Sequence, residues 1–171
     1  MDFSEQLREF SSAGVCLQGE LPIPEEVDDL AGVTVDWSRL LDEAKGVVGG
    51  FAVPPCMEAG GVGAAVLTRS GRIYTGICID LACGIGFCAE HSAVAEMLKN
   101  RETEIVAVVA VSSDQILPPC GRCRELMAQV NPENLDALVL VATDKVVLLR
   151  DLLPDIWFST WLESRRNSDG C

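Results

Sequence analysis

The sequence predicts an α/β fold in which helices pack on a central mixed β-sheet, and three observations carry that expectation. Two β-rich runs, residues 62–68 and 73–79, flank a Ser70-Gly71 turn and read as a hairpin. Two more strand-like runs, 105–112 and 138–142, alternate with segments of helical spacing at 89–100 and 121–130. A hairpin followed by alternating strands and helices is the order expected when helices cover a sheet.

Taken from the beginning, residues 1–35 read as an acidic extension, partly ordered at best. Asp2, Glu5, Glu20, Glu25, Glu26, Asp28 and Asp29 face a single Arg8, and Pro22 and Pro24 interrupt any long helix. Residues 36–171 read as one domain, since a 171-residue chain supports one sizeable core and no comfortable second. Asp36 or Ser38 can cap a helix in which Trp37, Leu40, Leu41, Ala44 and Val48 recur at helical spacing, ending at Gly49 and Gly50. A loop, FAVPPCMEAGG, leads to the hairpin. In the next helix Val94, Met97 and Leu98 recur at core spacing. A short last strand, 146–149, follows the Asp144-Lys145 turn.

Composition narrows the function. The formal charge of −13 opposes a polyphosphate partner, because nucleic-acid affinity rests largely on Lys and Arg displacing counterions. Any nucleotide-like substrate is then free and small. Mean hydropathy is +0.26, yet the longest aliphatic run, 105–111, is far too short to cross a bilayer. The start, MDFSEQLREF, lacks the basic and then apolar pattern of a secretory signal, so the expectation is a cytoplasmic protein with no membrane partner. The eight cysteines accordingly read as thiols, some of them metal ligands.

The chemistry concentrates in two helix starts. FCAEHSA puts Cys88 and Glu90 at the beginning of one helix, and PPCGRCREL puts Cys120 and Cys123 at the beginning of another. First-turn side chains lean back toward the helix N-terminus, and residues three apart share a face, so Cys120 and Cys123 can grip one ion beyond the helix end. Pro118 and Pro119 fix where that helix begins. The positive end of a helix favours thiolate over thiol. Three protein ligands leave a fourth tetrahedral position open, as catalytic zinc sites do. Glu90 stands ready to move protons, and Arg124 to offset the negative charge of three thiolates from outside the ligand set. A Cys-Ala-Glu start followed by a Pro-Cys-x-x-Cys start is the constellation of zinc nucleobase deaminases in their Cys₃ variant.

These residues resemble the cytidine deaminase family, and within it the small single-domain enzymes and the blasticidin S deaminases. The similarity runs over residues 37–158 and includes VGAAVLT at 62–68, GRIYTG at 71–76, Arg124 and the Leu153-Pro154 pair. The resemblance implies a three-layer α/β/α fold around a mixed sheet, one Zn²⁺ per subunit and a homotetramer. It also implies hydrolysis of a 4-amino pyrimidine nucleoside, cytidine or deoxycytidine, to the 4-oxo product and ammonia, with substrate contacts at Cys78, Asp80 and Ala89. Departures fall on the substrate side. Where cytidine enzymes usually carry Asn-x-Glu, this chain has Cys78-Ile79-Asp80, and where they carry a Phe before VGAA it has Gly60-Gly61, which suggests room for a larger sugar.

His91, the only histidine, takes the place of an Arg often found after Cys-Ala-Glu, and reads either as a contact to a thiolate or as a local backbone cap. Cys83 could close a Cys₄ structural site, and otherwise reads with Cys78 as a small buried hydrophobe. Trp157, Phe158 and Trp161 suit core or interface packing, or a ring over the substrate. Three further readings stay open: deamination of an aminonucleoside antibiotic such as blasticidin S, a non-catalytic zinc protein, and editing of a base within a nucleic acid.

Overall fold

The computed structural model describes residues 27–30, 32–53 and 56–158. Most of the acidic extension and Trp161 therefore lie outside the described residues. The end of that extension nevertheless belongs to the fold. Strands β1 (Val27–Leu30) and β2 (Val33–Val35) pair antiparallel, and Val35 is fully buried beside Trp37.

Helix α1 (Trp37–Gly46) starts as the sequence predicts, with Asp36 as the N-cap accepting the Arg39 N–H at 2.9 Å. It ends earlier than Gly49, so Val48 packs on the core from beyond the helix. The expected loop holds more structure than its Pro and Gly content suggests. β3 (Phe51–Val53) pairs antiparallel with the start of β4 (Met57–Thr68), which in turn pairs along its length with β5 (Ile73–Leu81). Both hairpin strands are longer than predicted, and their pairing continues past a bulge between Ala59 and Gly63 to Met57 and Leu81.

After β5 come helix α2 (Ala89–Lys99), strand β6 (Ile105–Val111), helix α3 (Gly121–Val130), and strands β7 (Leu138–Ala142) and β8 (Lys145–Leu148). β6 pairs antiparallel with β4 and parallel with β7, which makes the sheet mixed. Period-two alternation sends Ala64, Val66, Val108, Ala110 and Val139 to the face covered by α2 and α3. Ala65, Leu67, Val109, Val111 and Leu140 face α1 on the other side. The result is the three-layer α/β/α arrangement with a central mixed β-sheet.

Two devices hold α2 in place. A Cβ at Gly76 would lie 2.3 Å from Ala93 N and 2.5 Å from Ala89 O, so only glycine lets the helix backbone lie directly on β5. Ser92 Oγ then donates to Ile77 O at 2.8 Å. The far end is tied by Glu102, which accepts from Ser70 Oγ, Tyr74 Oη and Arg72 Nη1 at 2.8, 2.9 and 3.2 Å. Asn134, fully buried, accepts the Ile105 N–H at 2.7 Å and donates to Thr103 O and Met127 O, locking the start of β6 to α3.

Because the atoms facing Gly76 are backbone, Gly76→Val is expected to destabilise the protein by about 3 kcal/mol or more, the upper end for overpacking, in urea unfolding at fixed zinc. A second expectation concerns pH. Hydrogen bonding from the Thr68 hydroxyl, then from Ser70 and Tyr74, with the Arg72 charge, outweighs desolvation and holds the Glu102 carboxyl below its ordinary range. Its stabilisation is present above the unfolded-state pKa and is lost as pH falls through the folded value. The stability difference between wild type and Glu102→Gln, from urea unfolding at stepped pH, should therefore shrink on acidification.

Candidate active site

Both helix starts enter in extended conformation. Cys88 is the N-cap of α2 at φ −70°, ψ 160°, and Cys120 the N-cap of α3 at φ −66°, ψ 166°. Neither side chain makes a capping hydrogen bond, so both sulfurs are left to meet beyond the helix ends. Pro118 and Pro119 impose the extended approach to Cys120. Arg124 braces it, with Nε donating to Pro119 O at 2.7 Å and Nη1 to Leu152 O at 3.0 Å. Arg124 thus acts on backbone carbonyls beside the cluster, outside the ligand set.

Cys88 Sγ lies 3.6 Å from Cys120 Sγ, Cys120 Sγ lies 3.4 Å from Cys123 Sγ, and the three sulfurs all fall within 4.8 Å of one another. Thiolates around a tetrahedral zinc ion, at the usual Zn–S bond length, stand about 3.8 Å apart. The donor set and its spacing therefore fit that ion. Cys83 is exposed and is not part of the cluster, which corrects the expectation of a buried Cys83 and removes the four-cysteine arrangement.

Glu90, in the first turn of α2, is only 4 % exposed. It lines a cavity of about 410 Å³, a size suited to a small ligand. The helix starts supply Cys88, Ala89, Glu90 and Cys120 to its wall, and the strands supply Val62, Cys78 and Asp80. Cys123 sits behind the wall, buried. Cys78 is also buried, and its sulfur accepts the Val62 N–H at 3.3 Å while its S–H donates to Asp80 Oδ2 at 3.4 Å. Of the sequence-predicted residues, all but Cys123 and Arg124 reach this one cavity.

The electrostatics are graded by depth. Burial pushes the Glu90 carboxyl up, against its own backbone N–H and the Cys123 thiol. Burial and then the Glu90 charge push the Cys123 thiol well above its ordinary value, and burial and the Cys120 thiol push Cys88 up. For Cys120 burial is outweighed, because the backbone N–H groups of Cys123 and Arg122 and the neighbouring thiols draw it below its ordinary value. Burial, with the Arg122 charge, lowers the His91 imidazole below its ordinary value.

The family model for the cytidine and deoxycytidylate deaminase zinc-binding region matches residues 50–139, a span that contains every residue of the thiol cluster and Glu90. The chain belongs to this family. A cytidine deaminase of Mycobacterium tuberculosis is 32% identical over 123 residues, which are 71% of this chain and 89% of that protein. The crystal structure of cytidine deaminase from Mycobacterium tuberculosis matches with a TM-score of 0.61 at 28% identity, over 72% of this chain and 98% of that one. A blasticidin-S deaminase of Bacillus cereus is 32% identical over 90 residues, 47% of this chain and 62% of that protein. Membership makes the chain a zinc-dependent hydrolytic deaminase.

Sequence reasoning passed over two residues of this deaminase's site. Arg122 lines the cavity and donates from Nη1 to Gly86 O at 3.1 Å; its signal was its place inside Cys-x-x-Cys. Phe87 lines the cavity just ahead of Cys88. Gly60, read from the sequence with Gly61 as room for a larger sugar, also has a backbone reason: its φ is +79°, and a Cβ there would stand 2.5 Å from Gly49 O. Among the described residues no helix is long and apolar enough to cross a membrane.

The geometry predicts that Cys83→Ser retains the metal content of wild type, measured by metal analysis after dialysis, whereas Cys120→Ser loses most of it. Equal loss in both would return Cys83 to the ligand set.

Proposed function

We propose that Cys88, Cys120 and Cys123 hold one zinc ion per subunit, and that Glu90 moves the protons in hydrolysis of cytidine or deoxycytidine to the 4-oxo nucleoside and ammonia. The observation that carries this reading is the buried Glu90 carboxyl in the same cavity wall as Cys88 and Cys120. When bound, the zinc ion supplies Lewis acidity that brings a neighbouring water toward ionisation near neutral pH.

Glu90 takes a proton from that water onto a carboxylate oxygen and passes it to the ring nitrogen beside the amino-bearing carbon. Once the water oxygen has bonded to that carbon, the carboxylate takes the second proton from the added hydroxyl and delivers it to the amino group; the C–N bond breaks, ammonia leaves and the 4-oxo group remains. The apolar surroundings that bury Glu90 keep bulk water from competing for these protons. Ala89 lines the cavity between two reacting positions and contacts the base. Asp80, oriented by the Cys78 thiol, accepts a hydroxyl of the sugar. Arg124 supports the metal from outside the ligand set by fixing the turn that carries Cys120.

A homotetramer is part of the proposal, as the resemblance implies, and large apolar side chains left exposed, Ile85 at 74 % and Trp157 at 78 %, are in keeping with an assembly; Phe158 is core. The proposed setting is the cytoplasm, with a free nucleoside as substrate and neither nucleic acid nor membrane as partner, in keeping with the charge of −13. The acidic segment before residue 36 is proposed as an appendage of the catalytic domain at 36–171.

One observation favours a second substrate. Asp80 faces Glu58 as its cross-strand partner, and both line a further cavity of about 300 Å³ beside the first. Two carboxylates and extra room suit an aminonucleoside antibiotic such as blasticidin S, whose deaminase in Bacillus cereus is among the relatives.

Ammonia release with cytidine, deoxycytidine, cytosine and blasticidin S decides between them. Zinc-replete Glu90→Gln is expected to lose about 10²- to 10⁴-fold in kcat on whichever substrate wild type takes. A zinc-loaded wild type inert on all four would overturn the substrate assignment, and an active Glu90→Gln would overturn the proton role.

A further inference from the structure

We infer that His91 is a positioning residue for the metal centre: its Nδ1–H donates to Cys123 Sγ, holding the buried ligand sulfur in place and taking up part of its charge. The inference rests on the proposed zinc site and goes beyond it, since His91 is neither a ligand nor a group that meets substrate.

The three sulfurs are not equally placed. Cys120 is exposed, Cys88 half-buried and Cys123 fully buried. Water can solvate the first two, but a thiolate at Cys123 needs a donor from the protein, because an uncompensated buried charge is costly. Glu90, buried alongside, adds a second negative group to the same region. The guanidinium groups nearby are directed elsewhere: Arg124 Nε and Nη1 donate to Pro119 O and Leu152 O, and Arg122 Nη1 to Gly86 O. Among the described residues, His91 is the one whose side-chain nitrogen reaches a sulfur of the cluster within hydrogen-bond distance, with Nδ1 at 3.4 Å from Cys123 Sγ.

A thiolate only accepts, so the contact assigns the ring proton to Nδ1. His91 follows Cys88 by three residues in the first turn of α2, and its N–H donates to Cys88 O at 3.0 Å. The same turn therefore presents one ligand and the donor that supports another. Phe87 flanks the ring, with centroids 6.4 Å apart and planes tilted by 39°. His91 is not a fourth ligand, because its nitrogens fall outside the group of donor atoms that all lie within 4.8 Å of one another.

The test compares wild type, His91→Leu and His91→Asn under reducing conditions, the asparagine amide offering a donor near the position of Nδ1. Zinc release to a chelator is followed with a metal indicator, and the sulfur-to-metal charge-transfer band is recorded in the cobalt(II)-substituted protein. His91→Leu is expected to release zinc about 10- to 100-fold more readily, the usual effect of removing a group that supports a metal ligand. Its charge-transfer band should move to lower energy, because an unbonded thiolate gives up charge more easily, and His91→Asn should restore both readings. A folded His91→Leu with wild-type zinc release and an unmoved band would overturn the inference. If His91→Leu does not fold, His91→Asn against His91→Gln decides, since the longer amide misses the Nδ1 position. A gap of about tenfold in zinc release then supports the role, and equal behaviour overturns it. A wild-type protein that holds no zinc would instead sink the metal site itself, which keeps the two failures apart.

Discussion

The whole site depends on two helices beginning at one point beyond the same edge of the sheet. β4 runs antiparallel to both β5 and β6, so those two strands share a direction and both end at that edge. The chain leaving each strand then turns into a helix whose N-terminus faces the other's. Cys88 and Cys120 are the N-caps, and their sulfurs come within 3.6 Å. Shifting either helix by one turn, about 5.4 Å, would dissolve the cluster. Crevices outside the carboxyl ends of strands are the usual ligand sites of α/β sheets, and here the strand directions alone produce one.

That convergence creates an electrostatic problem, and the fold answers it locally. Despite burial, the amides of Cys123 and Arg122 at the start of α3, with the neighbouring thiols, draw Cys120 below its ordinary pKa. The effect weakens with depth, and Cys123 and Glu90 are both pushed up by burial. No cationic side chain is buried among the described residues, so a divalent ion fits the region as the charge that reconciles three sulfurs and a carboxyl. Arg124, singled out from its place next to Cys123, stands outside the ligand set. Its guanidinium serves the turn before Cys120, donating to the Pro119 and Leu152 carbonyls.

How far the fold could be read from the sequence follows from where the information is local. The start of α1 at Asp36, the bounds of α3 and the Ser70-Gly71 hairpin were legible because capping, proline and turn signals act over three or four residues. β3 and the bulged half of β4 were not, since Pro and Gly there read as loop and only pairing across the sheet makes them strand. Gly60 looked like a concession to substrate, yet its φ of +79° and its contact with Gly49 O are backbone facts invisible without the fold. Cys83 shows the same limit: burial of a cysteine is a property of the fold, and Cys78 and Cys83, five residues apart, take opposite fates.

The two walls of the cavity are constrained unequally, and this bears on how one reaction accommodates different substrates. On the helix wall, Cys88, Glu90 and Cys120 are bound to the helix starts, and α2 lies so close to β5 that even a methyl group at Gly76 would collide with its backbone. On the strand wall, Cys78 is held through its sulfur, but Asp80 is exposed and is positioned by that thiol alone among its side-chain partners. A change at Asp80, or at its cross-strand partner Glu58, costs the fold little and alters the strand wall of the cavity. The helix wall is therefore fixed by parts of the structure that cannot move, and under the proposed reading the choice of nucleoside falls to a strand end that can be altered without disturbing them.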